Sequence, residues 1–426
     1  MVLGTALIGM GLAYILLDIY RANPDSSLLA TISLTALPRW VRALLLGAAG
    51  SAFLLFGFFR LNRTLLTPFV RPGKTVVDAI SEHRRLGRGP KVVALGGGNG
   101  LATLLRGLKE HTTNLTAIVT VADDGGSSGR LRRDLGLPPP GDLRNCLAAL
   151  SDDEGLLTQL FQYRFTEGVG LEGHSFGNLF IAALAGVTGS FDRGVLEAGN
   201  VLRIRGQVLP ATLSDVALVA DETPALEAHE VRVEGESQIP SFPGRINRVH
   251  LEPGEPPAYP EAIRAVLGAD MIVIGPGSLY TSILPNLLVP DLAGAIRASR
   301  AFKVYVCNVA AQPGETDGYD CAQHLAALES HAGKGLVDGV LVNNHIPPNL
   351  PERVCPVPLA EEQALTVPRF TADVVDVERP WRHDSEKLAH TLLRLLEERT
   401  GPLDMTPIDH AQSLNHLNRN HSQQEN

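Results

Sequence analysis

Lys91–Asn145 reads KVVALGGGNGLATLLRGLKEHTTNLTAIVTVADDGGSSGRLRRDLGLPPPGDLRN. The apolar run Lys91–Leu95 ends in Gly96, Gly97, Gly98, Asn99 and Gly100, after which Leu101, Leu104, Leu105 and Leu108 recur at helical spacing. This pattern predicts strand, tight turn, helix. Glycines in such a turn permit positive φ and let the backbone approach an anion with no Cβ between, while the first helical amides point at it unpaired. A phosphate or diphosphate is the natural ligand; the competing reading is a turn that only packs helix on sheet. No full GxGxxG can be drawn, because Leu101 or Thr103 falls where the third glycine belongs.

A second apolar run, Thr116–Val121, ends at Asp123, Asp124, Gly126, Ser127 and Ser128. In a parallel sheet this end lies beside the glycine turn, where a carboxylate can accept from ribose hydroxyls or, as Asp123 and Asp124 together, hold a divalent cation. The segment PPPGDLRN then brings Asp142, Arg144 and Asn145 toward the same crevice, although Asp142 can equally cap the helix expected near Leu143. These features predict a doubly wound, mostly parallel, Rossmann-like α/β sheet.

Further along, His174-Ser-Phe-Gly-Asn178 precedes an apolar helix from Leu179. Here His174 can donate to a phosphate and Asn178 to a sugar, or both can be structural. Short alternating segments between Val201 and Glu252 predict an inserted antiparallel element. The strand Asp270–Ile274 leads into Gly275-Pro-Gly277-Ser278-Leu-Tyr-Thr281-Ser282, a second anion cradle whose three hydroxyls can donate to phosphate oxygens, or whose Ser278 and Thr281 merely cap the next helix. The strand Phe302–Cys307 ends at Asn308 and the loop of Gln312. An amphipathic helix over Ser385–Arg399 closes a domain spanning 91–399, and residues 400–426 read as a polar, flexible tail.

GGGNGLATLLRGLK, TVADDGGSSGRLR, PPPGDLRNC, HSFGN, GPGSLYTS, PNLL and QPGET occur in this order between Lys91 and about Arg394. Together they resemble the YvcK/CofD-like family, and HSFGN and QPGET look most like its YvcK branch, the gluconeogenesis factors. The family usually has Thr where this chain has Asn99. The YvcK-branch resemblance implies a non-catalytic UDP-sugar-binding regulator, for UDP-N-acetylglucosamine or a similar ligand, of cell-wall synthesis, cell shape and gluconeogenic growth. The CofD branch implies instead a magnesium-using 2-phospholactate transferase, with Asp123 or Asp124 on the metal and Asp142 orienting the acceptor hydroxyl. GPGS differs from the transferase loop, so the regulator ranks first, and no cofactor is required beyond Mg2+ with a bound diphosphate. No HExxH or P-loop lysine is present. A nicotinamide-linked oxidoreductase ranks third because its fingerprint fails.

The chain has 426 residues, is 44% hydrophobic and carries a formal charge of −9. Residues 1–91 hold 11 Lys+Arg against 4 Asp+Glu, so the remainder carries −16, which argues against a nucleic-acid partner. Cys146, Cys307, Cys321 and Cys355 stand far apart, as in a reduced interior. Val2–Leu17 and Val41–Phe59 are apolar enough to predict a transmembrane helical hairpin within residues 1–60. The positive charges after it place the main domain in the cytoplasm at the inner membrane. Residues 61–90 then form a basic juxtamembrane linker, solvated or resting on anionic headgroups. Cell-wall synthesis proteins are the protein partners implied, and homo-oligomers stay open.

Overall fold

The computed structural model describes residues 2–22, 37–66, 85–152, 155–224, 229–348, 350–401 and 403. It divides into two compact units, Met1–Ser81 and Glu82–Asn426. The first contains the helices Val2–Ala22 and Arg39–Leu66. Among the described residues one helix is long and apolar enough to cross a membrane, over Trp40–Gly57. The expected hairpin of two spans is thereby reduced to one candidate span. Most of the linker at 61–90, the loop between the spans and nearly all of the tail at 400–426 lie outside the described residues.

The second unit is built on a seven-stranded parallel sheet in the order β10-β9-β8-β7-β1-β2-β3. Its strands are β1 (Val92–Gly96), β2 (Leu115–Val119), β3 (Gln207–Pro210), β7 (Met271–Ile274), β8 (Phe302–Val306), β9 (Gly339–Asn343) and β10 (Arg369–Ala372). VVALG, LTAIV and MIVI are buried at every position. Continuous apolar runs suit strands covered on both faces, as βαβ crossovers require. The chain winds outward from β1 to β3, then returns to place β7 on the other side of β1. That reversal opens a crevice at the carboxyl ends of β1 and β7.

The helix Gly98–Leu108 follows β1 directly and buries Leu101, Ala102, Leu104, Leu105 and Leu108 on one face, the spacing its sequence predicts. The C-terminal helix Ser385–Thr400 packs across it at Gly107, where a Cβ would penetrate the Ser385 carbonyl.

Between β3 and β7 lies a separate antiparallel sheet of β4 (Ala217–Pro224), β5 (Val231–Glu234) and β6 (Gly244–Glu252), ordered β5-β4-β6. The inserted element is real, but its expected start at Val201 is corrected. Gln207–Pro210 is an edge strand of the main sheet, because its short apolar stretch pairs in parallel with Thr116–Val119. Pairing with a distant strand leaves no local mark on four residues.

Gly107→Ala is expected to destabilise the main unit by about 1–3 kcal/mol through overpacking. Gly294→Ala, where a Cβ meets nothing within 4 Å, should be neutral or stabilising by up to about 1 kcal/mol. Urea unfolding of the two variants checks both, and equal midpoints would remove this account of the helix crossing.

Candidate nucleotide site

The glycine turns after β1 and β7 meet back to back. A Cβ on Gly100 would stand 2.5 Å from the Pro276 carbonyl oxygen, and one on Gly97 2.5 Å from Asp142 Oδ2. Asn286, fully buried, ties the pair by donating from Nδ2 to the carbonyls of Gly96 (3.0 Å) and Ser282 (2.8 Å). Beside these turns opens a cavity of about 650 Å³. Of the residues singled out from the sequence, Gly97, Gly98, Asn99, Gly100, Asp123, Asp142, Gly277, Ser278, Thr281, Ser282, Asn308 and Gln312 line it.

Asp142 sits in the first turn of the helix Gly141–Leu150, whose N-cap is Pro140 without a side-chain capping bond. The capping alternative is therefore corrected: its carboxylate accepts from the Gly98 amide and faces the cavity. Burial first, then the charge of Asp123, pushes its pKa up to about 6, against the lowering by the Gly98 bond and Arg144. Asp123 is also raised by burial, although the Gly125 amide (2.8 Å) and the Ser128 hydroxyl bond it.

Across from them projects Glu236, from the turn that follows β5. Burial and then the charges of Asp123, Asp142 and Asp124 raise it to about 8. Asp123, Asp124 and Glu236 can each present an oxygen within 4.8 Å of the others. Such an all-oxygen set fits a hard divalent cation. Asp124 itself is turned toward the inserted sheet, where it accepts from the Ser237 amide (2.9 Å).

The second turn is held differently from the expectation. Ser278 donates to Gln312 Oε1 (2.6 Å) and Thr281 to Glu315 Oε1 (3.0 Å). Glu315 also accepts from the Tyr280 amide (3.2 Å) and the Gln312 side-chain amide (2.7 Å). A buried carboxylate, pushed by burial to about 7, thus occupies the hydroxyl and amide assigned from the sequence to a phosphate. Ser278 and Thr281 engage the QPGET loop, not the helix end.

Gly96, Asp124, Gly126, Ser127, Ser128, Arg144, Asn145, His174, Asn178 and Gly275 do not line the cavity. Behind its wall Ser127 Oγ lies 3.0 Å from His174 Nδ1, and Asn178 Nδ2 donates to the hydroxyls of Ser127 (3.1 Å) and Ser128 (3.4 Å). HSFGN is a brace for the Asp123 loop. Arg144 is buried with its Nη2 on Asn145 Oδ1 (2.9 Å).

Sequence reasoning missed Glu236, Arg353, Trp381, Arg382 and His383, all on the wall. Arg382 and His383 precede Asp384, which caps the C-terminal helix through the Glu386 and Lys387 amides; that cap was the available signal. Burial lowers His383 to about 4, so the ring is neutral and donates from Nε2 to the Cys307 carbonyl (3.2 Å). Carboxylates and the side chains of Arg353, Arg382 and Trp381 thus line one cavity.

The sequence model of the family described as 2-phospho-L-lactate transferase CofD matches residues 92–398. The chain belongs to the CofD/YvcK family. It is similar to the gluconeogenesis factor of Bacillus subtilis, with 48% identity over 322 residues, 74% of this chain and 100% of that one. It is also similar to the gluconeogenesis factor of Halalkalibacterium halodurans, with 54% identity over 252 residues, 59% of this chain and 77% of that one. A crystal structure of a UPF0052-family protein from Bacillus halodurans matches with 47% identity and a TM-score of 0.67, covering 72% of this chain and 99% of that one. The family match covers the switch-point crevice and the inserted sheet alike.

The raised carboxyls fix the sign of a pH dependence. Glu236 goes from 4.5 to about 8, Glu315 from 4.5 to about 7 and Asp142 from 3.8 to about 6. Each binds a proton in the folded state that the unfolded chain releases at lower pH, so their stabilising contribution is full below pH about 4 and is lost as pH rises through about 6 to 8. The ligand-free protein should melt at progressively lower temperature across that window, and Glu236→Gln should flatten its upper end. A melting temperature that climbs from pH 5 to 8 would refute the acid cluster as described.

Proposed function

We propose that this protein is a UDP-sugar-binding regulator, anchored at the inner face of a membrane by the apolar helix over Trp40–Gly57. The observation that carries this reading is the make-up of the cavity wall, which brings together two glycine turns, the carboxylates Asp123, Asp142 and Glu236, and Arg353, Arg382 and Trp381. A nucleotide diphosphate sugar matches that make-up: glycine turns and guanidinium groups suit the diphosphate, an indole face suits a base, and carboxylates accept from sugar hydroxyls. The wall presents no lysine or cysteine among its lining residues, and on this reading it holds the ligand and does not cleave it. The named relatives are gluconeogenesis factors. The proposal extends to control of cell-wall synthesis, cell shape and gluconeogenic growth through a bound sugar nucleotide; of these, the relatives' names support the link to gluconeogenesis. A membrane anchor would place the sensor beside enzymes that consume such precursors.

The carboxylate trio favours one second reading, transfer of 2-phospholactate from a nucleotide-activated donor. Asp123, Asp124 and Glu236 fit Mg2+, whose role would be to neutralise phosphate charge. Asp142, its pKa raised to about 6, would orient an acceptor hydroxyl or take its proton.

Thermal melting of the full chain in mild detergent separates the two, because a ligand of the folded state alone raises the midpoint by mass action. UDP-N-acetylglucosamine should raise it without Mg2+ and without turnover, and Arg382→Ala should weaken binding about tenfold to a hundredfold. A Mg2+-dependent rise with GDP and none with UDP-sugars would replace the regulator by the transferase.

A further inference from the structure

Glu315 is buried, and donors converge on its carboxylate from the turn after β7 and from its own loop. The Thr281 hydroxyl and Gln312 Nε2 donate to Oε1 at 3.0 and 2.7 Å, and the Tyr280 amide donates to Oε2 at 3.2 Å. The Thr281 amide and the Ser278 hydroxyl also bond to it. Among the described residues no lysine, arginine or histidine forms an ion pair with this acid; burial and hydrogen bonds are what act on its ionisation. A buried acid is ordinarily paired with a cation. This one is surrounded by amides and hydroxyls of a single turn, the partners a bound phosphate takes. Ser278, Thr281 and Gln312 line the nucleotide cavity, so the turn faces the place from which a ligand anion would come.

We propose that Glu315 is the resident anion of a phosphate cradle and thereby sets the selectivity of the cavity: the second turn accepts the hydroxyl-bearing part of a ligand and turns a phosphate away. The loop around Glu315 holds it in place. The Gln312 amide donates to Thr316 Oγ1 (2.9 Å), the Gly314 amide donates to Asp317 Oδ2 (2.7 Å), and Gly314 abuts the Pro240 carbonyl of the insertion.

Selectivity follows from charge and from spent donors. A phosphate at this turn finds its donors taken and a like charge beside it, a repulsion that at about 5 Å costs more than tenfold in affinity. A hydroxyl meets the opposite situation. Ser278 has committed its proton to Gln312 Oε1 (2.6 Å) and Thr281 its own to Glu315, which leaves oxygen lone pairs able to accept. Phosphates are then left to the first glycine turn. The choice between sugar and phosphate rests on the sugar-nucleotide reading of the cavity, whereas the cradle occupied by Glu315 does not.

Chemical rescue tests the cradle. At pH 8, above the value of about 7 to which burial raises Glu315, Glu315→Ala in the full chain should lower the melting temperature by about 5 °C or more, because buried donors lose their acceptor. Inorganic phosphate should raise the midpoint of this variant by more than it raises the wild type, and acetate, the fragment removed, should do likewise, whereas neutral acetamide should not. Rescue by acetate alone, or by no anion, overturns the phosphate cradle. Glu315→Gln keeps the shape, folds without rescue and tests the selectivity: the affinity for UTP relative to UDP-N-acetylglucosamine should rise about tenfold over the wild-type ratio. An unchanged ratio overturns the selectivity. A wild type that binds neither nucleotide overturns the sugar-nucleotide reading and this selectivity with it, and phosphate rescue of Glu315→Ala still decides the cradle.

Discussion

The contact on which the site depends is the approach of two backbones at the switch point, Gly100 beneath the Pro276 carbonyl. Parallel strands leave their carboxyl ends side by side, and two turns can share that space only if side chains are absent from it. Asn286 then fixes their separation, using one buried amide to bond a carbonyl from each turn. Asp123 in the loop after β2, Asp142 in the first turn of the helix Gly141–Leu150 and Gln312 in the loop after β8 line the same cavity beside these turns.

Closeness also sets the electrostatics. Carboxyl groups from three different segments share a poorly solvated space: burial raises all of them, Asp123 also raises Asp142, and both raise Glu236. An arrangement of this kind is costly while empty, and protons, a cation or the hydroxyls of a ligand relieve it. The guanidinium groups of Arg353 and Arg382 line the same cavity.

The inserted antiparallel sheet completes the wall and does not merely shield it. Its turn supplies Glu236 and pins Asp124 through the Ser237 amide, while Val249 of β6 donates its amide to His331 Nε2 (3.0 Å). Gly314 passes against the Pro240 carbonyl from the opposite loop. These contacts link the insertion to loops on both sides of the crevice, so its position and the geometry of the carboxylates are one problem.

The glycine turn, its amphipathic helix, the second turn after Ile274 and the parallel sheet were all legible in the sequence. Each is written in local terms, as apolar runs, helical spacing and residues that tolerate positive φ, and seven ordered motifs carried the family. Asp142 was legible as a residue but not as a role, since a helix cap and a cavity carboxylate look alike until the Gly98 amide is placed beside it. Ser278 and Thr281 read as phosphate donors because Glu315, more than thirty residues away, leaves no trace near them. Glu236, Trp381 and Arg382 lay in turns without periodicity, and only long-range packing brings them to the wall. The sequence by itself determined which segments bend, pair and bury, because those follow from side-chain shape and water. Tertiary structure alone decided which polar groups face one another, because hydrogen bonds and charges are satisfied by whatever partner the packed chain delivers.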